Sequence, residues 1–170
     1  MKKMIVVFIL GFCILSGYGF YVIPIQGGFR SWYQKIDNPS RFRLCLNDKA
    51  VLDKETGLVW QRNTDEIKSN WEQACDYCYR LEVGNRKGWR IPTIEELASL
   101  VDNDNYNPAL PTNHPFTNVQ SSFYWSGSTY ASYPGFAWGV YFRNGDVYYF
   151  DKDYDYDVRC VRGGHGYDTR

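Results

Sequence analysis

The chain has 170 residues, enough for one domain with a substantial core and too few for two. Aromatic residues make up 18%, with 15 Tyr and 6 Trp, which favours strands and contact surfaces over a helical bundle. Nineteen basic residues balance 19 acidic ones, so the overall field points neither to nucleic acid nor to an anionic membrane surface as a partner.

Lys2 and Lys3, followed by the apolar run Ile5 to Leu15, have the form of an export signal. Gly17-Tyr18-Gly19 places small residues where a signal peptidase needs them, so residues 1–19 are expected to be a signal peptide. The product is then exported, whether periplasmic, on the cell surface or secreted. An uncleaved anchor is the alternative, because no charge occurs from Met4 to Phe29, and it is the sole membrane contact the sequence offers. Cleavage removes two lysines and leaves a net charge of −2. Cys13 lies inside the apolar run, without the small residues that precede a lipid-modified cysteine. Cys45, Cys75, Cys78 and Cys160 follow, an even number in an oxidising compartment, and their three pairings are all open to the sequence.

Residues 20–44 show no clear period and are expected to form an N-terminal strap, with the domain spanning 45–164 and a tail at 165–170. Ala50-Val51-Leu52 and Leu58-Val59-Trp60-Gln61 flank a polar turn ending in Gly57 and predict a β-hairpin. Ser69 and Glu72 form a capping box, and Trp71, Ala74, Cys78 and Leu81 follow at helical spacing up to Gly84, predicting a helix over 70–81. Trp89-Arg90-Ile91 predicts a short strand stopped by Pro92. Thr93 and Glu96 form a second capping box, and Ile94, Leu97, Ala98 and Val101 put one apolar stripe on a second helix. Residues 102–122 form a long polar loop, and loops of that length are often functional. Beyond it the pattern is β: Tyr124-Trp125-Ser126, an aromatic-bearing loop Ser128 to Gly135, Ala137 to Phe142, and Val158 to Arg162. Asn144-Gly145 predicts a two-residue turn, with Arg143 facing Asp146 and Phe142 facing Val147. The order predicts an α+β fold, two helices packed against a small antiparallel sheet with long loops.

Several separated motifs resemble the Lcl C-terminal domain family, named for a bacterial collagen-like adhesin. They are Asp53-Lys54-Glu55-Thr56-Gly57-Leu58-Val59-Trp60-Gln61, Trp71-Glu72-Gln73-Ala74, Tyr77-Cys78, and Trp89-Arg90-Ile91-Pro92-Thr93 with Glu95-Glu96-Leu97 and Leu100. Tyr124-Trp125-Ser126 and Arg159-Cys160-Val161-Arg162-Gly163 complete the set. The resemblance covers most of residues 48–164 and implies a C-type-lectin-like architecture on an exported bacterial protein, with adhesion to sugar polymers as the named member's role. Two departures stand out: Gly127 follows Ser126 where the family often repeats Ser, and the adhesin's collagen-like repeats are absent. In a C-type-lectin-like fold the first helix is tied to the last strand. The resemblance therefore implies a Cys78–Cys160 disulfide, leaving Cys45 with Cys75.

Cys75 and Cys78 also have Cys-x-x-Cys spacing, but a redox pair occupies a helix N-terminus and these fall in the middle and last part of one. A zinc site lacks its second close pair. Asp102-Asn103-Asp104-Asn105 opens like a calcium loop without the glycine and distal glutamate of an EF-hand. No metal ligand set is assigned. Calcium is an alternative at the acidic run Asp151 to Asp157, whose bland counterpart is a solvated connection with acidic gatekeepers.

Trp60, Trp71, Trp89 and Trp125 fall on inward-facing periods and are expected in the core. Tyr130, Tyr133 and Phe136 lie in a loop of small polar residues, where rigid amphipathic rings make contact surfaces. Tyr148, Asp153, Tyr154, Asp155 and Tyr156 extend that candidate ligand-binding set. His114 and His165 have no nucleophile at recognisable spacing, so no catalytic residue is assigned and no enzyme is expected. Sulfatase-activating enzymes use a related fold with reactive cysteines, whereas the cysteines here have structural partners to hand. The expected function is a non-catalytic binding module for a glycan or extracellular polymer, with a structural role in a surface protein assembly as the alternative.

Overall fold

The structure, a computed structural model, describes residues 41–64 and 68–163, all within one compact unit, Trp32–Arg170. The expected signal peptide, the strap up to residue 40 and the tail lie outside the described residues. Seven strands and two short helices run in the order β1 (Phe42–Cys45), β2 (Ala50–Asp53), β3 (Val59–Gln61), α1 (Trp71–Arg80), α2 (Ile94–Ala98), β4 (Phe123–Thr129), β5 (Phe136–Tyr141), β6 (Asp146–Asp151) and β7 (Val161–Arg162). The mixed α+β class is as expected. The single sheet is not: the strands form two antiparallel sheets, β1-β2-β3-β7 and β4-β5-β6. The reason lies in residues 157–162, which leave the second sheet after a bridge between Asp157 and Tyr124 and enter the first, where Val161 pairs with Trp60.

The first hairpin forms as predicted, with Gly57 at φ 73° closing the turn through Gly57 N–H to Asp53 O at 2.8 Å. β1 adds a strand inside the stretch expected to be strap. Its Phe42 and Leu44 pack on the core, and three consecutive left-handed residues, Leu46, Asn47 and Asp48, turn the chain back into β2.

α1 is capped by Asn70, whose Oδ1 accepts from Gln73 N–H, and not by Ser69. Ser69 instead exchanges backbone hydrogen bonds with Tyr156, 3.0 Å each way, which takes its backbone out of the helix start. Ala74 and Cys78 are the buried residues of α1, and Cys78 is bonded to Cys160, Cα atoms 5.4 Å apart. The expected Cys45–Cys75 bridge is absent, and both are free thiols. Their surroundings differ: Cys45 lies by Arg43 and Leu52 in the first sheet, whereas Cys75 lies by Lys152 and Glu72.

The Trp89–Ile91 strand reduces to one bridge, Arg90 with Val161. α2 carries the predicted capping box, Thr93 Oγ1 accepting from Glu96 N–H and Glu96 Oε2 from Thr93 N–H. Arg90 holds the same carboxylate at 2.6 and 2.7 Å, fixing the helix start to the bridge. α2 stops at Ala98, and Leu100 reaches the core from the turn that follows. The long loop at 102–122 is largely wall, for Ala109, Leu110 and Phe116 are buried.

The Asn144-Gly145 turn also differs from expectation. Tyr141 pairs with Asp146 and Val140 with Val147, leaving a four-residue loop. Phe142 is withdrawn from the ladder because its ring is buried and its backbone bonds Ser122 and Ala109 instead. The second sheet is packed on both faces. Tyr124 and Val140 join Leu97, Leu100, Trp60 and Phe142 in one core cluster, while Phe123, Trp125 and Ala137 join Trp89, Ala74 and the disulfide in the other. Gly139 sits where the strands close up, since a Cβ there would lie 2.2 Å from Tyr124 O. Trp60, Trp89 and Trp125 are buried as expected; Trp71 is half-buried, its Nε1 donating to Ser126 O.

Arg41 and Asp53 form a buried bidentate pair at 3.0 and 2.7 Å, and Arg41 also donates to Ser99 O. Asp53→Ala leaves the buried guanidinium with Glu55, 3.5 Å away, as its remaining carboxylate, and is expected to lower unfolding free energy by about 3 kcal/mol in urea titration. Mapping without reduction should recover Cys78 joined to Cys160, with Cys45 and Cys75 open to alkylation in unfolded protein. Burial, with the Arg159 charge adding to it, pushes the His114 imidazole below its ordinary pKa. Unfolded protein therefore binds more protons, so the His114 contribution is complete above about pH 6.5 and declines as pH falls through that value. Stability measured from pH 7 to 5 should fall less steeply in His114→Gln than in the parent.

Candidate functional site

β5 and β6 place side chains on alternate faces, and paired residues share a face. Trp138 pairs with Tyr149 and Phe136 with Asp151, on the same face as Val140 and Tyr124. α2 packs over the Tyr124 and Val140 portion. At the other end of that face the loop after β4 folds back, held by Tyr130 N–H to Phe136 O and Phe136 N–H to Tyr133 O, both at 2.9 Å. This sets Tyr130 flat against Tyr149, ring centroids 4.2 Å apart and planes 16° from parallel. Trp138 meets both rings edge-on at 5.3 and 5.2 Å, and Tyr133 and Phe136 complete the group. Tyr133 is 63% exposed and Tyr149 43%, so the cluster is an aromatic platform open to solvent.

Three of the predicted residues, Tyr130, Tyr133 and Phe136, are therefore brought together. Trp138 and Tyr149 belong with them and are not among the residues expected from sequence; their signal is the shared face that the strand register creates.

The remaining predicted residues lie elsewhere. Tyr148 projects from the opposite face of β6, where its hydroxyl donates to Asp146. Tyr156 is framework: its ring packs on Phe123 at 4.7 Å and Trp125 at 5.1 Å, and burial pushes its hydroxyl above the ordinary range. Tyr154 is exposed and flanks Tyr156 at 6.2 Å. Asp153 and Asp155 are exposed in the connection after β6, with Asp153 N–H bonded to Asp151 Oδ1. Among the described residues no three His, Cys, Asp or Glu side chains converge as a metal would require. Lys152 stands between the platform and α1, its ammonium 2.9 Å from Thr129 Oγ1 and 4.0 Å above the Trp71 ring.

Apart from the platform, a concavity of about 400 Å³ opens at the end of the first sheet. Gln61, Arg62 and Lys49 form one wall, and Tyr77 and Leu81 of the α1 region the other. Gln61 is locked, donating to Tyr77 Oη and accepting from Cys160 N–H. Arg62 is clamped by the carbonyls of Asp48 and Pro115.

Burial is the largest influence on both free thiols and pushes each above the ordinary cysteine range, against the partial pull of Arg43 on Cys45 and of Lys152 on Cys75. That is the reverse of what activates a nucleophilic cysteine. His114 has a buried Nδ1 without a hydrogen-bond partner and packs on Phe116. His165 lies outside the described residues.

Among described residues no helix is long and apolar enough to cross a membrane. No curated protein matches the chain. The model of the Lcl C-terminal domain matches residues 49–162, from the first hairpin through the last strand and including both helices, the disulfide and the platform. By that match, over the greater part of its length, the chain belongs to the Lcl C-terminal domain family.

Proposed function

We propose that this chain is an exported, non-catalytic binding module of C-type-lectin-like architecture that holds a glycan or another extracellular polymer on the aromatic platform. The observation that carries the reading is the Tyr130–Tyr149 stack with Trp138 beside it, a half-buried set of rings held on a packed sheet with Tyr149 and Tyr133 exposed at its surface. Flat apolar faces with hydroxyl rims suit sugar rings, which offer C–H groups to an aromatic face and hydroxyls to its edge. The tie between α1 and the segment ahead of β7 supports the lectin-like architecture, since it joins the first helix to the end of the chain as that fold does. The two thiols, raised by burial, favour binding over cysteine catalysis.

A glycan and polymer array probed with the protein, with and without calcium, is expected to return a retained ligand. Tyr133→Ala combined with Tyr149→Ala should weaken that binding about tenfold or more while leaving the thermal midpoint close to the parent's. An array blank under both conditions sinks the reading.

A further inference from the structure

β6 is the terminal strand of its sheet, and no described residue pairs with its outer edge. Lys152 N–H bonds Gly135 O at 2.9 Å, which continues the β5–β6 ladder by one step and fixes its alternation. Residues 146, 148 and 150 therefore exchange backbone bonds with β5, while Val147 and Tyr149 turn their N–H and C=O groups away from it. No described residue takes up those four groups. The other free edges are managed. β4 is covered by Asp157 and Pro92, β7 is two residues long, and β1 carries Arg43. β6 is guarded only by the aspartates at its two ends: its register with β5 is unbroken, it contains no proline or basic residue, and Val147, Tyr148 and Tyr149 are each more than 40% exposed.

The charge along this edge is one-sided. Asp146 and Asp151 bracket the strand and Asp153 and Asp155 follow, and none of the four meets a cation within 4 Å among the described residues. The neighbouring cations are turned elsewhere, Arg143 over the Tyr106 ring and Lys152 over Trp71. A second copy of the chain is a poor match, because self-pairing brings together two strands whose charged side chains, Asp146 and Asp151, are all acidic, with no basic residue of the strand to offset them.

We propose that β6 is a strand-addition site for an extended peptide of a partner protein, with basic residues facing Asp146 and Asp151 and β-branched or aromatic residues between them. The backbone groups of Val147 and Tyr149 supply the pairing, and the aspartates supply polarity and choice of partner. The site is distinct from the platform although Tyr149 belongs to both, since an added strand uses its backbone in the plane of the sheet and the stack uses its ring on the face.

The test uses the full chain and the synthetic peptide acetyl-Lys-Thr-Tyr-Val-Thr-Lys-amide, followed by amide shifts in an NMR titration. The expected result is saturable binding with shifts concentrated on β6, weakened about tenfold in Val147→Pro and retained in Val147→Thr. Proline is tolerated at an outward-facing edge position, and the variant removes one outward donor without touching the β5 ladder. A peptide N-methylated at alternate amides gives the same information on unaltered protein, and it should fail to bind. Binding that survives N-methylation, or that is equal for the peptide with glutamate in place of lysine, overturns the proposal. Absence of shifts on β6 does the same, as does a native dimer that Val147→Pro converts to monomer. Glycan retention should be unchanged in Val147→Pro, so failure of one site is distinguishable from failure of the other.

Discussion

The guanidinium of Arg159 is buried in the middle of the molecule, donating to the carbonyls of Gln61 and Arg62 at 2.7 and 2.8 Å and lying over the Phe116 ring. Burial pulls its pKa down from the ordinary arginine range, yet arginine keeps its charge in proteins, so those carbonyls are required acceptors. They fix the end of β3 to the final segment. Around Arg159 that segment is tied at four further residues: Asp157 to β4 and to Ser122, Cys160 to α1, Val161 to β3 and Arg90, and Arg162 to β3. Two sheets, a helix and the long loop meet at six consecutive residues.

The surface features follow from that junction. Residues 157–162 cover the free edge of β4, so among the described residues the second sheet has one open edge, on β6. α2 is only five residues long and covers one end of the sheet face. The other end is left to Trp138, Tyr149 and the loop tyrosines, which cover it with one another. An open edge and an uncovered face are thus two results of a single economy of covering elements.

What the sequence made legible was whatever a few neighbouring residues decide. The turn through Gly57 and the Thr93–Glu96 box are closed within four or five residues, and both are found where the pattern puts them. Where a distant partner decides, the local signal failed. Ser69 and Asn70 are both good caps, and pairing with Tyr156 selects Asn70. Asn144-Gly145 favours a two-residue turn, but burial of Phe142 shifts the closing pair back to Tyr141 and Asp146. Trp138 looks like core in an alternating strand and lies in the site because α2 does not reach it. Of the two cysteine pairs, the one implied by a tie between first helix and last strand is present. The other was assigned only as a remainder, and the two thiols look out on different neighbours.

The Tyr130–Tyr149 stack is formed in the chain by itself, pinned beneath by Trp138 and behind by the backbone bonds of the 130–136 turn. Loose surface tyrosines lose rotamer freedom when a ligand settles on them, at about 0.5–1.5 kcal/mol for each immobilised side chain. Here folding has already removed that freedom, so a flat partner would meet rings that have little entropy left to surrender. The same rigidity would restrict what fits: the platform has a fixed outline, and under the proposed function selectivity among flat ligands would rest on their shape rather than on adjustment by the protein.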